Sequence, residues 1–126
     1  MIDAQSSRLI ALRGATTVDA DSQGDIEQRT EELLKQLLDR NALAIDDIVS
    51  ILFTATPDLR SDFPAAAARA LGLSHTPLLC AQEIPVEGAM SRCIRVLMHF
   101  YTEHSREALH HIYLEGARGL RDDLPD

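Results

Sequence analysis

The sequence predicts an α+β fold, a five-stranded mixed β-sheet with helices on one face, built by a single chain of 126 residues. Three patterns predict it. Residues 48–55 (IVSILFTA) are almost continuously apolar and rich in strand formers, as a central strand covered on both faces must be. Ile26, Thr30, Leu33, Leu34, Leu37 and Leu38 recur at helical spacing, with Glu27, Glu31, Glu32, Lys35 and Asp39 mostly on the opposite side. Residues 92–101 alternate, placing Ile94, Val96, Met98 and Phe100 on one side and Cys93, Arg95, Leu97 and His99 on the other.

The remaining elements follow in order. Residues 1–7 are a polar, mobile lead-in, and residues 8–13 form a short strand ended by Gly14. A loop over 14–24 leads to Ser22-Gln23-Gly24-Asp25, a cap for the amphipathic helix that Asn41 stops. Thr56-Pro57-Asp58 ends the central strand. Asp62 reads as the N-cap of a second helix, with Pro64 near its first position, alanines at 65–68, and Gly72 as its close. Residues 77–82 form a third strand, Glu87-Gly88 a turn, 110–114 a fifth strand and 115–120 a helical turn. The tail over 122–126 is polar and mobile. The order β-α-β-α-β-β-β implies parallel crossovers first and a hairpin at the end. With so few helices, one sheet face lacks a cover, and subunit association is the economical way to supply it.

Net charge is −8, which excludes nucleic acid and anionic membrane as partners, since both require a basic surface. No apolar run approaches the roughly 18 residues of a membrane span, and no signal peptide is evident. A cytoplasmic setting with free thiols at Cys80 and Cys93 is expected, because no C-x-x-C pattern is present. No glycine-rich phosphate loop, G-x-S-x-G or trusted metal pattern occurs, so neither metal nor cofactor is expected. The basic residues are lopsided, with eleven arginines against one lysine, Lys35. Genome composition is one explanation. Ligand binding is the other, since a guanidinium matches a carboxylate with two parallel hydrogen bonds.

Several residues stand out. Arg13 closes the first strand beside a glycine and reads as an anion contact or a surface ion pair. Arg95 lies inside a strand between Ile94 and Val96, where charge is costly unless paired or solvated. Cys80 and Glu83 fall at and just past the end of the third strand, where α/β sheets commonly bind ligands. Cys80 could serve as a nucleophile, but no His is obviously paired with it, and each cysteine reads better as a small buried hydrophobe. Tyr113 offers a phenol to a carboxylate or packs in the core. His104, His110 and His111 form no recognisable metal set. Together these residues suit a reaction in which positioning and electrostatics suffice.

Six blocks in order, Arg13-Gly14-Ala15-Thr16-Thr17-Val18, Thr54-Ala55-Thr56-Pro57-Asp58-Leu59, Phe63-Pro64-Ala65, Cys80-Ala81-Gln82-Glu83, Cys93-Ile94-Arg95-Val96 and Tyr113-Leu114-Glu115, resemble the monofunctional chorismate mutases of the trimeric pseudo-α/β-barrel class over about residues 9–124. The resemblance implies a ferredoxin-like layout and a homotrimer with sites at subunit interfaces. It implies the intramolecular [3,3] rearrangement of chorismate to prephenate on the route to phenylalanine and tyrosine. It also implies that Arg13 grips a carboxylate and that Arg95 reaches the ether oxygen of the breaking bond. Glu83 and the Cys80 thiol would bond the ring hydroxyl, and Tyr113 would meet the side-chain carboxylate. Phe63 and Arg69 would come from a neighbouring subunit, Leu78 and Leu79 would line the pocket, and Arg121 would help close it. Two departures stand out: Ala66 occupies a position that is often lysine in the family, and the loop between Leu71 and Pro77 is a residue shorter. A trimeric enamine deaminase and a non-catalytic metabolite-binding module are the rival readings. The first and fourth blocks argue against the former, and the lack of a partner domain against the latter.

Overall fold

The computed structural model describes residues 7–121. Strands β1 (Arg8–Thr17), β2 (Ile48–Ala55), β3 (Leu78–Gln82), β4 (Cys93–Thr102) and β5 (Ile112–Tyr113) form one sheet, with helices α1 (Gln23–Arg40) and α2 (Ala65–Ala70) between the early strands. Short 3-10 turns occupy Ile45–Asp47, Arg106–Ala108 and Glu115–Arg121. The lead-in and tail expected at 1–7 and 122–126 lie outside the described residues apart from residue 7, as does the Arg121 side chain.

The strand order is β3-β2-β4-β1-β5. β2 and β3 pair in parallel across the α2 crossover. β4 runs antiparallel to both β2 and β1 and lies between them. The β1-α1-β2 unit is therefore a split crossover, the connection characteristic of ferredoxin-like layouts. The expected terminal hairpin does not form. Both edges of β4 are occupied by β1 and β2, so β5 has no edge of β4 to join. It pairs in parallel with β1 instead, through Gly14↔Ile112 and Ala15↔Tyr113, and shortens to two residues.

Gly14 does not end β1, which runs on to Thr17. Its function is close packing. A Cβ there would sit 3.1 Å from Leu33 Cδ1, Leu37 Cδ1 and Val96 Cγ2, so the missing side chain lets α1 press onto the sheet. Gly14→Val is expected to destabilise the fold by about 1–3 kcal/mol through overpacking, read as a lowered denaturant midpoint. An unchanged midpoint would remove this explanation.

The helix ends follow ordinary capping chemistry. Ser22 caps α1 by accepting the Asp25 N–H at 3.2 Å. Asn41 ends α1 and is itself buried. Its Nδ2 donates to the Leu37 and His110 carbonyls, and its Oδ1 accepts the His110 N–H at 2.6 Å, which ties the helix end to the approach to β5. α2 starts at Ala65 with Pro64 at the cap, not Asp62. Asp62 Oδ1 instead accepts the N–H of Phe63 at 2.8 Å, one turn too early to cap the helix. Gly72, at φ +97°, closes α2 as expected, with the Leu73 N–H bonded to the Ala68 carbonyl and the Gly72 N–H to that of Arg69.

The main core lies between the sheet and the two helices. Leu33, Leu34, Leu37, Phe53, Met98 and Phe100 are fully buried there. The opposite sheet face carries no helix, and Leu9, Val49, Leu52, Leu79 and Tyr101 remain exposed on it.

Candidate active site

Register on this open face assembles the site. The pairs Leu52↔Leu97 and Thr54↔Arg95 join β2 to β4, and Arg13↔Leu97 and Ala15↔Arg95 join β4 to β1. β5 adds Tyr113 beside Ala15. The result is a cavity of about 300 Å³ whose walls include Arg13, Leu52, Thr54, Arg95, Leu97 and Tyr113. Two guanidinium groups thus face an otherwise largely apolar space.

Arg95 is held in place. Its Nε donates to Glu83 Oε2 at 2.9 Å, and the same oxygen accepts the Thr54 hydroxyl at 3.0 Å. The pair is partly solvated, with the Arg95 side chain 41% exposed and that of Glu83 18%. The bond uses Nε alone, so the terminal guanidinium nitrogens stay available, and Glu83 keeps Oε1. Arg13 makes no ion pair among the described residues. Its backbone N–H donates to His111 Nδ1 at 2.9 Å, where a side chain continues the β1–β5 ladder by one rung. The cavity can therefore bind an anion with at least two carboxylates, one for each guanidinium.

The other expected site residues lie elsewhere on the chain. Cys80 pairs with Phe53, which turns it to the helix side of the sheet, where it is half-buried against the core. It lines a second cavity of about 390 Å³ together with Phe63. Phe63 is 67% exposed. Leu78 packs on the same side as Cys80, whereas Leu79 stands exposed on the open face opposite Leu52. Arg69 is exposed in the last turn of α2. One chain thus brings Arg13, Glu83, Arg95 and Tyr113 together, and keeps Cys80 and Phe63 at a separate cavity.

Cys93 belongs to the scaffold. It is fully buried with Ala15 and Ala117, and burial pushes its thiol up to about 11, against a smaller opposing effect of Arg95. The thiol is therefore protonated at neutral pH. Cys93 is expected to resist alkylation at pH 8 in the native protein and to react once the chain is unfolded. Rapid labelling of the native state would contradict this environment.

Supporting residues were invisible in the sequence. Arg29 of α1 donates to the Thr17 carbonyl and to Asp19, and pairs with Glu115 Oε1 at 3.3 Å, so it fastens the turn that follows Tyr113. Thr17 Oγ1 accepts the Gly116 N–H, and any Cβ at Gly116 would meet that oxygen at 2.9 Å. Asp21 accepts the N–H groups of Arg60 and Ser61, steadying the loop that carries Phe63. The Arg60 N–H is the chief cause holding the Asp21 carboxyl below its ordinary value. No helix of the described residues is long and apolar enough to cross a membrane.

Comparison with known proteins shows the family. The family model described as chorismate mutase type I matches residues 9–124. The chorismate mutase AroH of Bacillus subtilis (strain 168) is 42% identical over 114 residues, covering 90% of this chain and 90% of its own. The AroH of Thermus thermophilus is 43% identical over 114 residues, covering 90% and 93%. A solved chorismate mutase from Clostridium thermocellum aligns with a TM-score of 0.85 at 46% identity, over 86% of this chain and 97% of that one.

Proposed function

This chain belongs to the chorismate mutase type I family, and we propose that its open-face cavity binds chorismate and converts it by conformer selection and electrostatics. The chain is a chorismate mutase, an isomerase that turns chorismate into prephenate for aromatic amino acid synthesis. The observation that carries the proposed mechanism is the pair of guanidinium groups, Arg13 and Arg95, on neighbouring strands of one cavity.

Chorismate is a dianion whose reacting ends meet only in a compact, chair-like conformer. Arg13 holds one carboxylate and Tyr113 supports the carboxylate of the side chain, which selects that conformer. As the C–O bond breaks, the ether oxygen gains negative charge. The free nitrogens of Arg95 donate to it and to the adjacent carboxylate. Glu83 fixes Nε, so the guanidinium does not have to reorganise as charge develops. This interaction strengthens toward the transition state, and so it lowers the barrier and does not merely tighten binding. Glu83 Oε1 takes the ring hydroxyl, with the Cys80 thiol of a neighbouring subunit as its second partner.

The assembly we propose is a homotrimer with a pseudo-α/β-barrel core, each active site lying at a subunit interface. The uncovered apolar face supports it, since Leu9, Val49, Leu52, Leu79 and Tyr101 are exposed on a sheet that lacks a second layer. The placement of Phe63, Arg69 and Cys80 away from Arg95 supports a site completed by a neighbour. Phe63 supplies an apolar wall, and Leu78 and Leu79 line the pocket. Ala66 leaves Arg69 as the cation of α2, which carries carboxylate capture at the mouth.

Chorismate absorbs in the ultraviolet, and the absorbance falls as the ring rearranges. Micromolar protein should abolish the signal with prephenate as product. No loss of absorbance would defeat the reading. A solution mass at three times that of the chain is the expected assembly.

A further inference from the structure

We propose that Asp58, outside the cavity, is a positioning residue that sets Arg95 through the backbone at the start of β4; this rests on the functional reading above. The loop leading into β4 has little core anchorage, since Ile84 and Val86 are 82% and 63% exposed. What holds its end is a relay of side chains from the segment after β2. Thr56 extends the β2–β4 ladder by one rung, its N–H donating to the Cys93 carbonyl at 3.0 Å, while its Oγ1 accepts the Cys93 N–H at 3.0 Å. Asp58 takes the next N–H back along the chain. Its Oδ2 and Oδ1 accept from Arg92 at 2.9 and 3.2 Å, and its Oδ1 also accepts the Thr56 hydroxyl at 2.5 Å. On the far side, the Arg92 carbonyl accepts the Val18 N–H at 3.0 Å.

Arg92 is clamped where its backbone resists. Its φ of +48° is a left-handed conformation that disfavours a residue with a Cβ. Released, Arg92 relaxes toward negative φ and turns the first residues of β4. Arg95 stands three residues on, and its Nε bond to Glu83 depends on the register Thr54↔Arg95. The carboxylate of Asp58 thereby holds a strained residue in the conformation that aims the guanidinium.

The test uses full-length Asp58→Ala, Arg92→Gly and the double variant, each assayed with chorismate. Asp58→Ala is expected to lower kcat about 10- to 100-fold, the scale of a small misplacement, with KM changed by less than about threefold. Arg92→Gly alone should leave kcat within about twofold, because glycine adopts positive φ freely. The double variant should return kcat to within about fivefold of wild type, since glycine holds the turn without the clamp. A merely structural role predicts no such rescue. Wild-type kcat in Asp58→Ala, or a loss that Arg92→Gly does not recover, overturns the proposal. Should Asp58→Ala fail to fold, Asp58→Asn, which keeps one acceptor oxygen, replaces it under the same rescue criterion. A wild-type protein inert toward chorismate, or Arg95→Ala at full rate, would instead defeat the functional reading on which the proposal rests.

Discussion

Arg95→Ala is expected to lose about 10²–10³-fold in kcat while the protein remains folded, the usual cost of removing one preorganised donor from a developing oxyanion. The size follows from where the charge appears. Chorismate enters with its two carboxylates already charged, and on the proposed mechanism Arg13 addresses one of them in both ground and transition states. Arg95 alone among the described side chains of the cavity combines a fixed Nε with unengaged terminal nitrogens. Its loss therefore falls mainly on kcat and less on KM. The fold survives because the Arg95–Glu83 pair is partly exposed, and such pairs contribute only about 0–1 kcal/mol. Glu83 also keeps the Thr54 hydroxyl after the substitution. Steady-state kinetics with a melting curve on the same sample checks both halves. Near-wild-type turnover would remove Arg95 from the mechanism.

Phe53→Ala carries the largest expected effect on stability. Phe53 is fully buried in β2, with β3 on one side and β4 on the other, and packs in the core beneath α1 and α2. Truncating it loses the transfer free energy of the ring and leaves a cavity, for a cost of about 3–5 kcal/mol. That is a large share of the roughly 5–15 kcal/mol that stabilises a typical fold. The same strand presents Leu52 and Thr54 to the active-site cavity, so its fraying would also release Glu83 from its second partner. Chemical denaturation should show an early midpoint with activity lost in parallel. A loss below about 1 kcal/mol would mean that the neighbouring side chains refill the space, contrary to interiors packed as densely as crystals.

What the sequence made legible, and what it hid, divides along a physical line. Local patterns held. The apolar run of β2, the helical spacing of α1 and the alternation of β4 each follow from the side-chain period of one element. The family blocks likewise point to Arg13, Arg95 and Tyr113, which the fold gathers at one cavity, and to Glu83, which bonds Arg95 from beside it. Long-range facts were not written in any single segment. Gly14 reads locally as a strand end, and only the approach of Leu33 and Leu37 shows why glycine sits inside the strand. The terminal hairpin fails because β4 is already paired on both edges, a property of sheet order. Asp62 resembles an N-cap by composition, yet the helix begins after Pro64. Cys80 faces away from Arg95 because of the register Phe53↔Cys80, and one residue of slip would reverse it. Thr54, His111 and Asp58 support the site through partners 29 to 98 residues away, such as Glu83, Arg13 and Arg92. No spacing rule reaches that far.

On the proposed mechanism, Arg95 binds the transition state better than the ground state. Calorimetry with a stable bicyclic dicarboxylate that copies the chair-like geometry, compared with prephenate, tests it directly on wild type and Arg95→Ala. Wild type should prefer the analogue by at least about 10²-fold, the lower end for transition-state analogues. Arg95→Ala should lose most of that preference while binding prephenate nearly as before. An undiminished preference in Arg95→Ala would mean that Arg95 does not stabilise the transition state.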